Sequence, residues 1–138
     1  MRIRASVENW DQHHAAVVQV NDSIHELNIP PASGRGSSIN GGQLLCLAVA
    51  TCYCNDIYRE AMRRGIEVLR VNVDVEAEFG GPGEPAKSMS YRARVAARAG
   101  EQTIRDLMIH TDEVAEIQNT LRRGMDVKFG PIEVIVEG

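Results

Sequence analysis

NGGQLLCLAVATCYCNDIYREAMRR, residues Asn40 to Arg64, holds all three cysteines of the 138-residue chain and has no polar side until its second half. A helix apolar all round is one that its own protein covers, so this stretch is read as the central helix of the fold. Its ends fit. Asn40 is a suitable N-cap, Gly41-Gly42 opens the turn, and Gly65 follows Arg63 and Arg64, where a left-handed cap and last-turn cations belong. The apolar run Leu44 to Tyr53 is far short of the roughly 20 residues a membrane span needs, and Asn55, Asp56, Arg59 and Glu60 interrupt it at once.

Successive helical side chains turn by about 100°, which sorts the three thiols by direction. Cys52 shares a stripe with Leu45, Ala48 and Val49, then with Asp56, Arg59 and Arg63, a stripe expected to lead out to charge. Cys54 lies with Ile57 and Ala61 and is expected to be the more buried thiol, while Cys46 sits among leucines. No two cysteines are three or four residues apart, so neither an intrahelical disulfide nor a metal clip is expected.

Working outward, a composition 43% hydrophobic and 25% charged fits one soluble domain spanning residues 1–138. A net charge of -4 gives no electrostatic reason for nucleic acid or an anionic membrane as partner, and 4% aromatics supply few stacking platforms for bases. The start, MRIRASVENW, lacks the apolar region of a signal peptide, so a cytoplasmic location with free thiols is expected.

Before the helix, Arg2 to Val7, Ala15 to Val20 and Ile24 to Ile29 read as three short strands of a meander, with a turn at Asn21-Asp22-Ser23. Pro30-Pro31 ends it, and Ser33 to Ile39 forms a mobile loop. After Gly65 the period becomes 2: Leu69 to Phe79 and Ser88 to Ala99 are half-buried strands joined by the loop Gly80 to Lys87. Paired as a hairpin, they are expected to set Glu76 opposite Arg92 and Asp74 opposite Arg94. Glu101 to Arg123 is helical in pattern, with Thr111 or Asp112 able to start a new turn, and Gly124 closes it. A final strand is expected at Val127 to Phe129 and Ile132 to Val136, broken at Gly130-Pro131. Strands, helix, hairpin, helix and strand in that order argue α+β with a mainly antiparallel sheet.

The run Gly42-Gln43-Leu44-Leu45, followed by small and apolar residues to Ala50-Thr51-Cys52-Tyr53, resembles the central-helix signature of the OsmC/Ohr family, the osmotically inducible protein C and organic hydroperoxide resistance proteins. The strand order and Ile117-Gln118-Asn119-Thr120-Leu121 are similar as well. The resemblance implies an OsmC-like α+β fold, with antiparallel sheets around a long central helix, in an intertwined homodimer with two active sites at the subunit interface. It further implies reduction of organic hydroperoxides through a peroxidatic thiolate at Cys52, which becomes a sulfenic acid and is trapped by a second cysteine.

The sequence departs from that pattern in three places. The second cysteine falls on Ala115, followed by Glu116; the helix-start glutamate that orients an arginine falls on Gly42; and the arginine's neighbourhood offers Gln12, His13 and His14. A one-cysteine cycle with an external thiol reductant fits better than trapping by Cys54, which points away from Cys52 along the helix. Supporting candidates are therefore Cys54, His13, His14 and Arg35, the last in the loop before the helix. His25 and His110 have no partner that singles them out.

A thiolate is the nucleophile in such chemistry, so a nearby cation is needed. Asp56, one turn past Cys52, opposes that unless Arg59 or Arg63 neutralises it. Taken alone, Cys52 also reads as a small buried hydrophobe. The alternative function is thus a non-enzymatic OsmC-like dimer that binds a small apolar ligand at the subunit interface. A zinc site from the cysteines with His13 or His14 is disfavoured by the diverging thiols, and no metal or cofactor is expected.

Overall fold

The structure, a computed structural model, describes residues 1–137. Strands β1 (Ile3–Trp10), β2 (His13–Val20) and β3 (Ser23–Leu27) form the expected antiparallel meander, in the order β1-β2-β3. Its register runs from Ile3 opposite Val20 to Trp10 opposite His13, and from Ala16 opposite Leu27 to Val20 opposite Ser23. Both turns are two residues long and start at a non-glycine with positive φ, Asp11 at 46° and Asn21 at 51°. Asp and Asn tolerate that region, and the tight hairpin turn requires it. The first hairpin therefore reaches three residues further than the alternation through Val7 suggests.

Helix α1 (Gly41–Arg63) has the caps its sequence announces. Asn40 Oδ1 accepts from the Gln43 N–H at 2.8 Å, and Gln43 Oε1 accepts from the Asn40 N–H at 2.8 Å, a reciprocal capping box. At the other end Gly65, with φ 67°, lets the Ile66 N–H donate to the Ala61 carbonyl at 2.9 Å and its own N–H to that of Met62 at 3.2 Å. That is a Schellman cap. Strands β4 (Glu67–Phe79) and β5 (Ala86–Arg98) then pair as a two-stranded sheet, and α2 (Glu101–Val114) and α3 (Glu116–Arg123) follow.

The chain falls into two compact units. One comprises Met1–Ala48 with Glu76–Ser90 and contains the meander, the loop after it and the start of α1. The other comprises Val49–Val75 and the chain from Tyr91 onward. The second unit contains a core of Tyr53, Ile57 and Ala61 from α1 and Leu107 from α2. Val71 and Val73 of β4, Tyr91, Ala93 and Val95 of β5, and Met108 of α2 pack against it, so the alternation of the two strands does turn one face inward.

Three expectations need correction. The final strand at Val127 to Phe129 and Ile132 to Val136 is not formed: the described residues after Arg123 belong to no helix or strand, and Val127 and Phe129 are 89% and 88% exposed. An extended segment becomes a strand only when another strand satisfies its backbone groups, and this segment has no such ladder. Second, α1 is not covered on every side, since Leu44 and Leu47 are exposed. Third, the hairpin ion pair is Arg92 with Asp74, at 3.7 Å, rather than with Glu76. Being exposed, such a pair contributes about 0–1 kcal/mol and does little to set register. The stripe of Cys52 does lead to charge and reaches solvent at Arg63, whose side chain is 71% exposed, but Asp56 on the way and Glu60 beside it are buried, at 6% and 4% exposed.

Candidate functional site

Burying Asp56 and Glu60 demands partners, because an unpaired carboxylate away from water is costly. Arg59, between them on α1, supplies most of the answer. Its Nη1 lies 3.1 Å from Asp56 Oδ1 and 2.6 Å from Glu116 Oε1, and its Nε lies 2.8 Å from Glu60 Oε2. Glu60 also meets His110 Nε2 of α2 at 2.8 Å and Arg63 at 3.5 Å, so His110 does have a specific partner. Arg59 and His110 hold the Glu60 carboxyl below its usual range against the opposing effect of burial.

Glu116 reaches this cluster because the helical pattern of residues 101–123 breaks late. Thr111 Oγ1 donates back to the Leu107 carbonyl at 2.7 Å and stays helical, whereas Ala115, fully buried, turns extended with ψ 114°. The freed carbonyls at the end of α2 are then met from α3. Asn119 Nδ2 donates to the Glu113 carbonyl at 2.9 Å, and Arg122 donates to the Asp112 carbonyl at 3.3 Å and pairs with its carboxylate at 2.7 Å. Asp112 also accepts from the Tyr91 O–H. Buried Gln118 donates to the Val49 carbonyl at 3.2 Å and ties α3 to α1.

The sulfur of Cys52 lies between these elements, half-buried. It is 3.4 Å from Asp56 Oδ2 and 3.9 Å from Glu116 Oε2, and the Ile117 N–H at the start of α3 points at it. Burial raises the thiol's pKa, and Asp56 and Glu116 add to the rise, while the Ile117 N–H works the other way. The two carboxyls hydrogen-bond to each other. Burial first, then the bond to Glu116, pushes Asp56 up to about 6, and the bonds from Asp56 and Arg59 hold Glu116 down at about 2. Between about pH 2 and 6 the pair therefore holds one proton, on Asp56, with the negative charge on Glu116 beside the guanidinium, and above about 6 both carboxyls are ionised. Cys52 Sγ and one oxygen from each carboxyl lie within 4.8 Å of one another, a spacing suited to holding a cation. Arg59 is the cation nearest these carboxyls, but it binds their other oxygens, Asp56 Oδ1 and Glu116 Oε1, and not the pair that faces the sulfur.

Cys46 and Cys54, like Cys52, are free and half-buried. His13, His14 and Arg35 belong to the other compact unit, and their partners lie within it. The His13 ring stacks on Trp10 at 5.1 Å, His14 Nδ1 meets Asn9 Nδ2 at 3.0 Å, and exposed Arg35 pairs with Asp11 at 3.8 Å. Gly42, where the resemblance expects a glutamate, faces the Phe79 ring: a Cβ there would stand 3.2 Å from it.

A family model described as OsmC-like protein matches residues 34–130. The chain belongs to the OsmC-like protein family. Solved structures agree on the fold. An OsmC-like protein from Mycoplasma pneumoniae superimposes with a TM-score of 0.62 at 13% identity, over 88% of this chain and 86% of that one. An organic hydroperoxide resistance protein from Elizabethkingia anophelis gives 0.61 at 14% identity, over 88% and 89%. One from Legionella pneumophila gives 0.53 at 18% identity, over 88% and 90%. No curated protein matches the sequence at a significant level. Within this OsmC-like chain, no helix among the described residues is long and apolar enough to cross a membrane.

Proposed function

We propose that this OsmC-like chain is a thiol-dependent peroxidase that reduces organic hydroperoxides at Cys52, and that it works as a cytoplasmic homodimer. The observation that supports this most is the selective environment of one thiol. Of the three cysteines, Cys52 is the one whose sulfur has side-chain hydrogen-bond partners, Asp56 of α1 and Glu116 of α3. Family membership and the hydroperoxide resistance proteins among its structural neighbours point the same way. The sulfenic acid formed at Cys52 is returned to the thiol by an external thiol, since Ala115 and Glu116 stand where a second cysteine would be. The test mixes the purified protein with cumene hydroperoxide and dithiothreitol and repeats the measurement with Cys52→Ser. Loss of consumption in the variant supports the reading, and equal consumption ends it.

A second reading, a non-enzymatic dimer that binds a small apolar ligand, draws on two observations. The Cys52 thiol is shifted away from ionisation, not towards it. The second unit also has an open pocket of about 440 Å³, lined in part by Tyr53, Ala93, Met108 and Ile109, with Arg92, Arg105, Asp112 and Glu113 among its other lining residues. A Cys52 that resists both peroxide and alkylation at neutral pH favours this reading over the peroxidase.

A further inference from the structure

A thiol peroxidase must move one proton twice, off the attacking sulfur and onto the departing alkoxide. Within the second unit the side chains that reach the Cys52 sulfur are both carboxyl groups, Asp56 at 3.4 Å and Glu116 at 3.9 Å. The Arg59 guanidinium stops one layer back, its closest contact being the 2.6 Å bond to Glu116. A cation so placed keeps Glu116 ionised and leaves Asp56 as the member of the pair that takes up and gives back a proton near neutrality. Asp56 also divides its two oxygens, Oδ1 towards Arg59 at 3.1 Å and Oδ2 towards the sulfur.

We propose that the Asp56–Glu116 carboxyl pair is the proton carrier of the Cys52 reaction, with Asp56 taking the thiol proton and handing it to the alkoxide released from the hydroperoxide. The inference rests on the peroxidase reading of Cys52. In the step, the S–H proton passes to Asp56 Oδ2 and the thiolate attacks the distal oxygen of ROOH. An S–O bond forms, the O–O bond breaks, and its electron pair leaves on RO⁻. Asp56 then protonates RO⁻ to ROH. Sulfur is oxidised by two electrons to the sulfenic acid, the peroxide is reduced by two, and the carboxylate is regenerated. Asp56 titrates near 6, close enough to neutrality to serve in both directions. The other titratable or charged groups that face the cluster are Glu60 and Arg63 on α1 and His110 on α2; His110, Arg63 and Arg59 all pair with Glu60.

Asp56→Asn decides between a carrier and a bystander, because the two roles give opposite signs. A bystander carboxylate only raises the thiol pKa, so replacing it with the isosteric amide speeds every reaction of the sulfur. Removal of a carrier slows peroxide reduction, by about 100-fold at pH 7, while alkylation by iodoacetamide, whose iodide leaves without a proton, is unchanged or faster. The wild-type rate with cumene hydroperoxide is expected to fall below about pH 6 and to stay level above it. That of Asp56→Asn should rise about tenfold per pH unit, as free thiolate formation requires. Faster peroxide reduction in Asp56→Asn overturns the carrier while leaving Cys52 as the peroxidatic residue. Equal peroxide consumption by wild type and Cys52→Ser overturns both. Should circular dichroism show Asp56→Asn unfolded, Glu116→Gln on the exposed side of α3 tests the same pair. Without its neighbour Asp56 loses its proton more readily, so the acid limb of the rate profile moves to lower pH. An unmoved limb overturns the carrier.

Discussion

Asp56 and Glu116 contribute to stability with opposite signs, and the windows follow from their shifts. The folded-state pKa of Asp56 is raised to about 6 from 3.8, so the folded state binds the extra proton and the benefit is lost as pH rises through that interval. Glu116 is depressed to about 2 from 4.5, so its contribution is complete above the upper value and is lost as pH falls towards the lower. The pair therefore stabilises most near pH 4 to 4.5. Asp56→Asn removes the neutral-side penalty, and the variant is expected to gain on the wild type by about 2 kcal/mol between pH 4 and 6. For a chain of this size that is roughly 4–8 °C in the melting difference. Melting curves at half-unit pH steps check it, and a difference constant with pH shows that Asp56 titrates at its ordinary value. The sequence made part of this site legible. Cys52, Asp56 and Arg59 share one helix, where about 100° per residue fixes their common face without knowledge of the rest of the fold. Glu116, Glu60 with His110, and Tyr91 with Asp112 meet only through packing between elements, and no local spacing announces them.

The break between α2 and α3 is the element that turns an acidic helix face into a site. Periodicity ran through residues 101–123 and named Thr111 or Asp112 as the restart, since both are capable caps. In the fold Thr111 spends its hydroxyl inside α2, and the restart falls at Ala115, a residue with no capping side chain and strong intrinsic helix preference. What holds the break open is Asp112, which accepts from Tyr91 of β5 and from Arg122 of α3. Asp112→Ala removes both and leaves the Tyr91 hydroxyl short of its acceptor. The expected cost is about 1–3 kcal/mol in urea unfolding. As α3 loosens, Glu116 withdraws from Cys52 and the thiol ionises more easily, so iodoacetamide alkylation at pH 8 accelerates. Unchanged alkylation in a destabilised variant shows that α3 is held in place by other contacts, such as that of Gln118 with Val49. The remaining elements were legible because their signals are local: the capping box at Asn40, the glycine at 65, and the period of 2 in β4 and β5.

A single chain leaves much apolar surface without cover. Leu47 of α1 is 60% exposed, and Phe129, Val134 and Val136 in the segment after α3 are 88%, 77% and 89% exposed. Scattered exposed apolar residues are ordinary, but a whole segment in strand-like alternation, with its backbone groups unpaired, is the feature expected of one that adds to the sheet of another chain. Two of the misreadings of the sequence, the final strand and the fully covered helix, have this same source: the pattern records burial that one copy of the chain does not provide. The homodimer proposed above would supply it. Sedimentation of the wild type at micromolar concentration is then expected to give a dimer of the 15.2 kDa chain. A variant with Phe129→Glu and Val134→Glu places two charges where the strand would be buried, and it should sediment as a monomer that retains the helix content of α1 to α3. A wild type that stays monomeric, or a doubly substituted chain that dimerises as before, rules out this segment as the joint between copies.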